Sequence, residues 1–328
     1  MSVTFKQEAS TFFVDENLFY APSGSGSFVF AQFEKWDMMK ALLKKAVSER
    51  TGVPLRAMRH GGLKDRAARA RQWLSWPRDM QRRHISDGPN FRVLETTYHQ
   101  NGLKVGHVRS NRFRLTLCGQ LTENTMQRIK KDGVFPNFFG RQRFGQRGFD
   151  TNDAAKILSE SGARHLDVSR FQAHLFNSFF QHRRRLIGDR LLPEDLCLEA
   201  FRKKSFLASK LSEPDHDMGE ISPSGPIFGY RMVLPQHSLE QDFLAASGLG
   251  LESFRALGKR ARGGRRTLYI AARDISIEVP DEDQTILSFS LPSGSYATVF
   301  LTHLFWPERL EESVETWPDF TQTVTLQT

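Results

Sequence analysis

The sequence predicts an α+β protein, a mixed α/β fold whose strands come from both ends of the chain and whose middle is rich in helix. Three observations carry this. In the N-terminal half, Phe113, Leu115 and Leu117 alternate with Arg112, Arg114 and Thr116, the period of a half-buried strand. Alternating segments return near the C-terminus at 275–279 and 285–291. Between them, 166–189 places Phe171, Leu175, Phe176 and Phe179 on one helical face. One domain made from both ends and interrupted by an insertion follows. The 328 residues suit that arrangement, at roughly 100–200 residues per domain.

Taken in order, Phe12, Phe13 and Val14 suit a short strand, and the segment Pro22-Ser23-Gly24-Ser25-Gly26-Ser27 a loop. Residues 27–34 are aromatic and β-branched and read as strand. Asp37 is placed to cap a helix over 38–50 that faces inward through Met38, Leu42 and Ala46 and stops before Gly52. Trp73 to Trp76 reads as strand, 77–90 as loop, and 122–131 as a short helix stopped by Gly133. In 190–264 the run Ser222-Pro223-Ser224-Gly225-Pro226 reads as a break, and 260–266 (RARGGRR) as a flexible basic turn. Ser295 can cap a last helix with Tyr296, Val299, Phe300 and Leu304 on its apolar face.

The formal net charge is +9 and is spread along the chain. That excess suits an acidic partner, nucleic acid first and an anionic membrane surface second. Two distant cysteines, Cys118 and Cys197, imply neither a zinc site nor a disulfide framework, and suit a reducing compartment. The polar start implies no signal peptide. No apolar run reaches the roughly 18 residues of a membrane span.

Two stretches stand out. In Gly61-Gly62-Leu63-Lys64-Asp65-Arg66, continued by Arg69 and Arg71, one carboxylate sits in a field of cations that favours its ionised form. Such an acid can serve as a nucleophile beside a polyanion. Read by itself it is far more often a solvated basic turn leading into a strand. The second stretch, 135–145 (FPNFFGRQRFG), interleaves aromatics, arginines and one Asn. Aromatic faces stack on splayed bases, and Arg and Asn bond phosphates and base edges. Its bland alternative is a loop pinned by buried phenylalanines.

Together these stretches resemble the TruD family of tRNA pseudouridine synthases. The family signature Gly-x-Lys-Asp-x-x-Ala-x-Thr-x-Gln is met by Gly62, Lys64, Asp65, Ala68 and Gln72, with Ala70 in place of the Thr. Pro-Asn-Tyr-Phe-Gly-x-Gln-Arg-Phe-Gly is met by 136–145, with Phe138 for Tyr. Leu-Pro-x-Gly-Ser-Tyr/Phe-Ala-Thr is met by 291–298, and Phe-x-Val-x-Glu by Phe12, Val14 and Glu16, with Lys6 upstream. Leu175-Phe176-Asn177 and 223–229 resemble further landmarks, in the family's order. Other departures are Phe28 for a frequent His, Met39 and Lys40 for Asn-Thr, and Thr302 and His303 for Arg-Glu.

The resemblance implies a pseudouridine synthase catalytic domain over 1–162 and 271–328, with a mixed and largely antiparallel sheet, and an inserted TRUD-type α/β domain over 163–270. It implies an isomerase acting on tRNA, at uridine 13 in the family's usual case, with no metal or cofactor. Asp65 would be the nucleophile, and Lys6 would hold it ionised and serve proton transfers. Phe139 would stack on the flipped uracil, Phe12 and Tyr296 would line its pocket, and Asn137 would bond base or ribose. Lys64 and Arg143 would bind phosphate or orient the loop, and Glu16 belongs to the same substrate-binding set. A cytoplasmic monomer is expected, with no membrane association. The competing reading is an RNA-binding protein or RNA chaperone of this fold with little or no catalysis; retention of Lys6, Asp65, Asn137 and Phe139 together favours the enzyme.

Overall fold

The computed structural model describes residues 2–327 apart from 63, 146–147, 151, 160–163, 201–204 and 211–218. Its elements in chain order are β1 (Thr4–Phe5), β2 (Phe12–Leu18), β3 (Phe28–Lys35), α1 (Lys40–Thr51), β4 (Arg59–His60), β5 (Arg69–Pro77), β6 (Phe91–His99), β7 (Val108–Cys118) and α2 (Glu123–Lys131). There follow β8 (Val134–Pro136), α3 (Asn152–Ser159), α4 (His165–Ile187), β9 (Leu196–Glu199), β10 (Ser205–Leu207), β11 (Ile221–Ile227), α5 (Leu239–Ala246), β12 (Gly264–Thr267) and β13 (Tyr269–Ala271). Last come β14 (Arg273–Asp281), β15 (Gln284–Pro292), α6 (Ala297–Phe305) and β16 (Val324–Thr325). The chain forms two compact units. One contains Met1–Lys131, Arg273–Gly294 and Asp319–Thr328, the other Asp132–Ala272 and Ser295–Pro318. The segment 163–270 lies within the second.

The first unit is organised by one sheet in the order β14-β15-β7-β2-β5-β3-β6, with β1, β4 and β16 attached. Strands from the two chain ends meet where β15 pairs antiparallel with β7. Only β2 and β5 run parallel among the paired strands of this sheet, with Val14 opposite Ala70. Helix α1 covers one face, where Leu43 and Val47 pack with Val29, Phe33, Leu74 and Trp76. Phe30, Trp73 and Leu103 pack on another part of the sheet. The helix begins two residues later than the sequence predicts, because Asp37 takes a left-handed conformation (φ 48°) and does not cap it. Its buried side is accordingly Leu43, Val47 and Thr51, while Leu42 is 49% exposed.

In the second unit, α4 buries Phe171, Leu175 and Phe179 against Phe228, Leu244, Phe254 and Leu257. The proline-rich run expected to break the chain is instead strand β11. It tolerates its prolines because residues 221–223 pair with β9 and 224–227 with β12, so each half lacks a ladder on one side. The predicted basic turn is also corrected: Arg265 and Arg266 lie on β12 and are held by partners, Arg265 by Glu240 and by Ser224 (2.7 Å). Helix α6 starts from Tyr296 in extended conformation, so Ser295 is not its cap.

Candidate active site

The loop joining β4 to β5 presents Asp65. Its first glycine is required by close approach, since a Cβ on Gly61 would fall 2.4 Å from Val108 Cγ2. The loop is fastened from below. Lys64 Nζ donates to Glu16 Oε1 at 2.7 Å, with 5% and 1% of these side chains exposed. The other Glu16 oxygen accepts the Trp73 backbone N–H at 2.9 Å. Lys35, fully buried at the end of β3, donates its ammonium to the Asp65 carbonyl at 2.7 Å. The Asp65 side chain accepts from Gln7 Nε2 at 3.1 Å. Asp65 keeps an accessible surface, yet protein packed around it raises its carboxyl above the ordinary value, against the lowering effects of the Gln7 bond and the charges of Lys35 and Lys64.

Lys6 lies beside Gln7 on the chain, but its ammonium pairs with Glu8 at 3.2 Å, and both groups are nearly half exposed. Phe12 is buried, its ring 5.8 Å from Phe113 and 6.5 Å from Phe5. A second basic pair stands next to the loop: Lys40 Nζ lies 2.7 Å from His60 Nε2. Burial, helped by the neighbouring Lys44 and Lys64, pushes Lys40 down to about 8, and burial together with Lys40 and Lys44 lowers His60.

Lys35 is likewise pushed down to about 8, chiefly by burial, with Lys64 adding to the effect and Asp65 and Asp37 opposing it. Below pH 8 its ammonium is charged in both folded and unfolded states, and burying it costs stability. Between pH 8 and 10.5 the folded state releases this proton first, so stability rises with pH across that window. The expected gain is about 3 kcal/mol across the whole window and about 2 kcal/mol between pH 7.5 and 9.5. Urea denaturation at pH 7.5 and 9.5 checks this, and Lys35→Met should reduce the difference, leaving the part that comes from Lys40. An equal pH response in that variant would remove Lys35 from the account.

Within the second unit, Asn137, Phe139, Arg143 and Tyr296 are drawn together. Phe139 is half-buried, with ring centroids 5.4 Å from Phe176 and 6.2 Å from Tyr296, both edge-on. Its backbone N–H donates to Asn177 Oδ1 and its carbonyl accepts from Asn177 Nδ2, both at 2.9 Å. The Arg266 guanidinium lies 4.3 Å from the ring centroid and that of Arg143 5.6 Å. Asn137 is buried and fully engaged: its amide donates to Thr267 Oγ1 at 2.9 Å and its Oδ1 accepts from Arg266 at 2.6 Å. Arg143 donates to Ser169. Phe135, Phe138 and Phe144 are buried, so the aromatic loop is also pinned to the core, as its blander reading expects.

Sequence reasoning missed Gln7, Lys35, Asn177 and Arg266 as site residues. Asn177 was in view, since Leu175-Phe176-Asn177 is a family landmark. Lys35 carried a signal too, as a lysine closing a strand rich in aromatic and aliphatic residues. Nothing local marks Gln7.

Three comparisons bear on this geometry. The family model described as tRNA pseudouridine synthase D (TruD) matches residues 1–165 and 150–304. The tRNA pseudouridine synthase D of Anaeromyxobacter sp. (strain Fw109-5) is 32% identical over 330 residues, covering 92% of each chain. That of Thermus thermophilus is 30% identical over 322 residues, covering 93% of this chain and 89% of the relative. A crystal structure from Methanosarcina mazei carrying the TruD designation matches in fold with a TM-score of 0.60 at 18% identity, over 92% of this chain and 93% of the other.

Proposed function

Because this chain belongs to the TruD family of tRNA pseudouridine synthases, and is thus an isomerase that converts uridine in tRNA to pseudouridine, we propose that Asp65 is its nucleophile and uridine 13 its target. The observation that carries the first part is the environment of Asp65. Asp65 is an exposed residue whose carboxylate is oriented by Gln7 (3.1 Å), on a loop whose backbone and flank are fixed by Lys35 and by the Lys64–Glu16 pair. A nucleophile needs a defined position more than it needs additional charge. In this reading the target nucleotide leaves its stack, at roughly a few kcal/mol, and its uracil stacks on Phe139, which is already backed by Arg266. Tyr296 borders that ring, while Asn137 and Arg143 keep it in place through Arg266 and Ser169.

The carboxylate adds to the target nucleotide and the glycosidic C–N bond breaks. The uracil then turns, its C5 bonds to the ribose C1′, and the bond to Asp65 breaks, which returns the free carboxylate. The proton lost from C5 is matched by one gained at N1, so the product is an isomer of the substrate. Lys6, exposed and next to Gln7, is the group we assign to those proton transfers. The protein acts as a cytoplasmic monomer in this reading. Among the described residues, no helix is long and apolar enough to cross a membrane.

Incubating unmodified tRNA with the protein and mapping pseudouridine by carbodiimide primer extension tests the proposal. A new stop at position 13 is expected. Pseudouridine at another position would overturn the target, and none at all would favour an RNA-binding protein without catalysis.

A further inference from the structure

Beside the Asp65 loop, the first unit carries an open cavity of about 650 Å³ lined by Glu8, Ser10, Trp36, Asp37, Arg69 and Arg92, with Glu34 among the groups that reach it. Its chemistry is set by Glu34. This carboxylate is 1% exposed and holds three guanidiniums: Arg69 at 2.7 Å, Arg92 at 2.8 Å and Arg71 at 3.0 Å. The sheet register makes this possible, because Glu34 lies opposite Arg71 on β5 and opposite Arg92 on β6. Burial alone would push Glu34 up, but the hydrogen bonds and charges of these arginines outweigh it and keep the carboxyl below its usual range.

Arg71 has a second partner in Asp15 at 3.6 Å, so Glu34 is left to be shared by Arg69 and Arg92. A buried acid of this kind adds little to stability by itself. What it does is hold guanidiniums at a fixed spacing. The Arg69 and Arg92 side chains are each 47% exposed, and each has five N–H donors, more than the Glu34 contacts use. Of the acids on the wall, Glu8 is already bonded by Ser10 (2.7 Å) and paired with Lys6 (3.2 Å). Asp37 remains, held in its left-handed turn directly after the half-buried Trp36. Two fixed guanidiniums, an indole and one carboxylate are the groups that bind a phosphate, a base face and a base N–H edge.

We propose that this cavity is a subsite for a nucleotide of the tRNA near the target uridine, with its phosphate on Arg69 and Arg92 and its base on Trp36. The inference rests on the functional reading above and adds a substrate contact to it. Position supports it: Arg69 follows Asp65 by four residues, which span at most about 14 Å, and Glu34 precedes Lys35, whose ammonium holds the Asp65 carbonyl. Arg69 and Arg71 also occupy the two unspecified positions between Ala68 and Gln72 of the nucleophile motif.

The test uses the full-length protein with tRNA and measures KM, kcat and equilibrium binding. Arg92→Gln leaves Glu34 with two arginines, so the fold is kept; it should raise KM about tenfold, with the loss confined to KM, and reduce the salt slope of binding by about one. Trp36→Leu keeps an apolar side chain and should also raise KM about tenfold through lost stacking. The decisive arm uses synthetic tRNAs carrying one uncharged methylphosphonate at successive positions around the target. At one position the substitution should weaken the wild type about tenfold and Arg92→Gln distinctly less, since only the Arg69 contact is left to lose there. Equal weakening of both proteins at every position, or unchanged KM in both variants, overturns the subsite. A wild type that binds tRNA but forms no pseudouridine counts against the catalytic reading instead, and the methylphosphonate coupling still decides the subsite.

Discussion

Asp65→Asn is expected to lower pseudouridine formation by at least ~10⁴-fold, the scale seen when a nucleophile is removed, while tRNA affinity changes by less than about threefold. Asn is isosteric and its amide oxygen can still accept the Gln7 bond (3.1 Å in the wild type), so the side chain keeps its place. The loop is held from beneath by groups that the change does not touch, Lys35 on the Asp65 carbonyl and Lys64 on Glu16. Nucleophilicity is lost and position is not. Single-turnover assays on saturating tRNA, with affinity measured separately, make the check. Activity within tenfold of wild type would remove Asp65 from the chemistry, and a matching loss of affinity would recast it as a binding residue.

Glu16→Gln is expected to destabilise the protein by about 3–5 kcal/mol, because it leaves the Lys64 ammonium buried without its counter-charge. Gln can still accept the Trp73 N–H, which confines the damage to the ion pair. Urea denaturation gives the figure. The double variant Glu16→Gln/Lys64→Met removes the stranded charge and should recover most of the stability. It should not recover the activity, since the loop carrying Asp65 has lost its fastening. A cost below about 1 kcal/mol would mean that water reaches the pair and that the loop is fixed mainly through Lys35. On that outcome Lys64 and Glu16 would be open to the substrate contacts expected from the sequence.

Asp65 could be singled out because its motif combines a free backbone and a fixed spacing within a dozen residues; the basic field read there goes elsewhere, since Arg69 and Arg71 turn to Glu34. The strand β7 was legible for a similar reason: the alternation at 112–117 is local and follows the burial seen. What the sequence hid depends on distant partners. Glu34 and Lys35 sit at the end of an apolar strand, where charges ordinarily mark the approach to solvent; here β5 and β6 flank them and both are buried. Arg265 and Arg266 follow two glycines and read as a turn, because Glu240 and Asn137, their partners, are not recognisable from the local pattern. The prolines of β11 misled for the same reason, since one-sided pairing is a property of the neighbours. Ala70 is buried opposite Lys35, so the missing hydroxyl of the family motif lies at the foot of the nucleophile loop.

The closure of the first sheet has a consequence for synthesis. Thr285 on β15 bonds back to Gly119 at the end of β7, 166 residues earlier in the chain. At 5–20 residues per second, a ribosome needs about 10–30 s to make the intervening segment. During that interval β7 can pair with β2 on one side while its other edge exposes unpaired N–H and C=O groups, a template for adventitious strands. Fragments ending before β15 should therefore associate in a concentration-dependent way during translation, and the arginines at 109, 112 and 114 are the charges on that edge strand that oppose it.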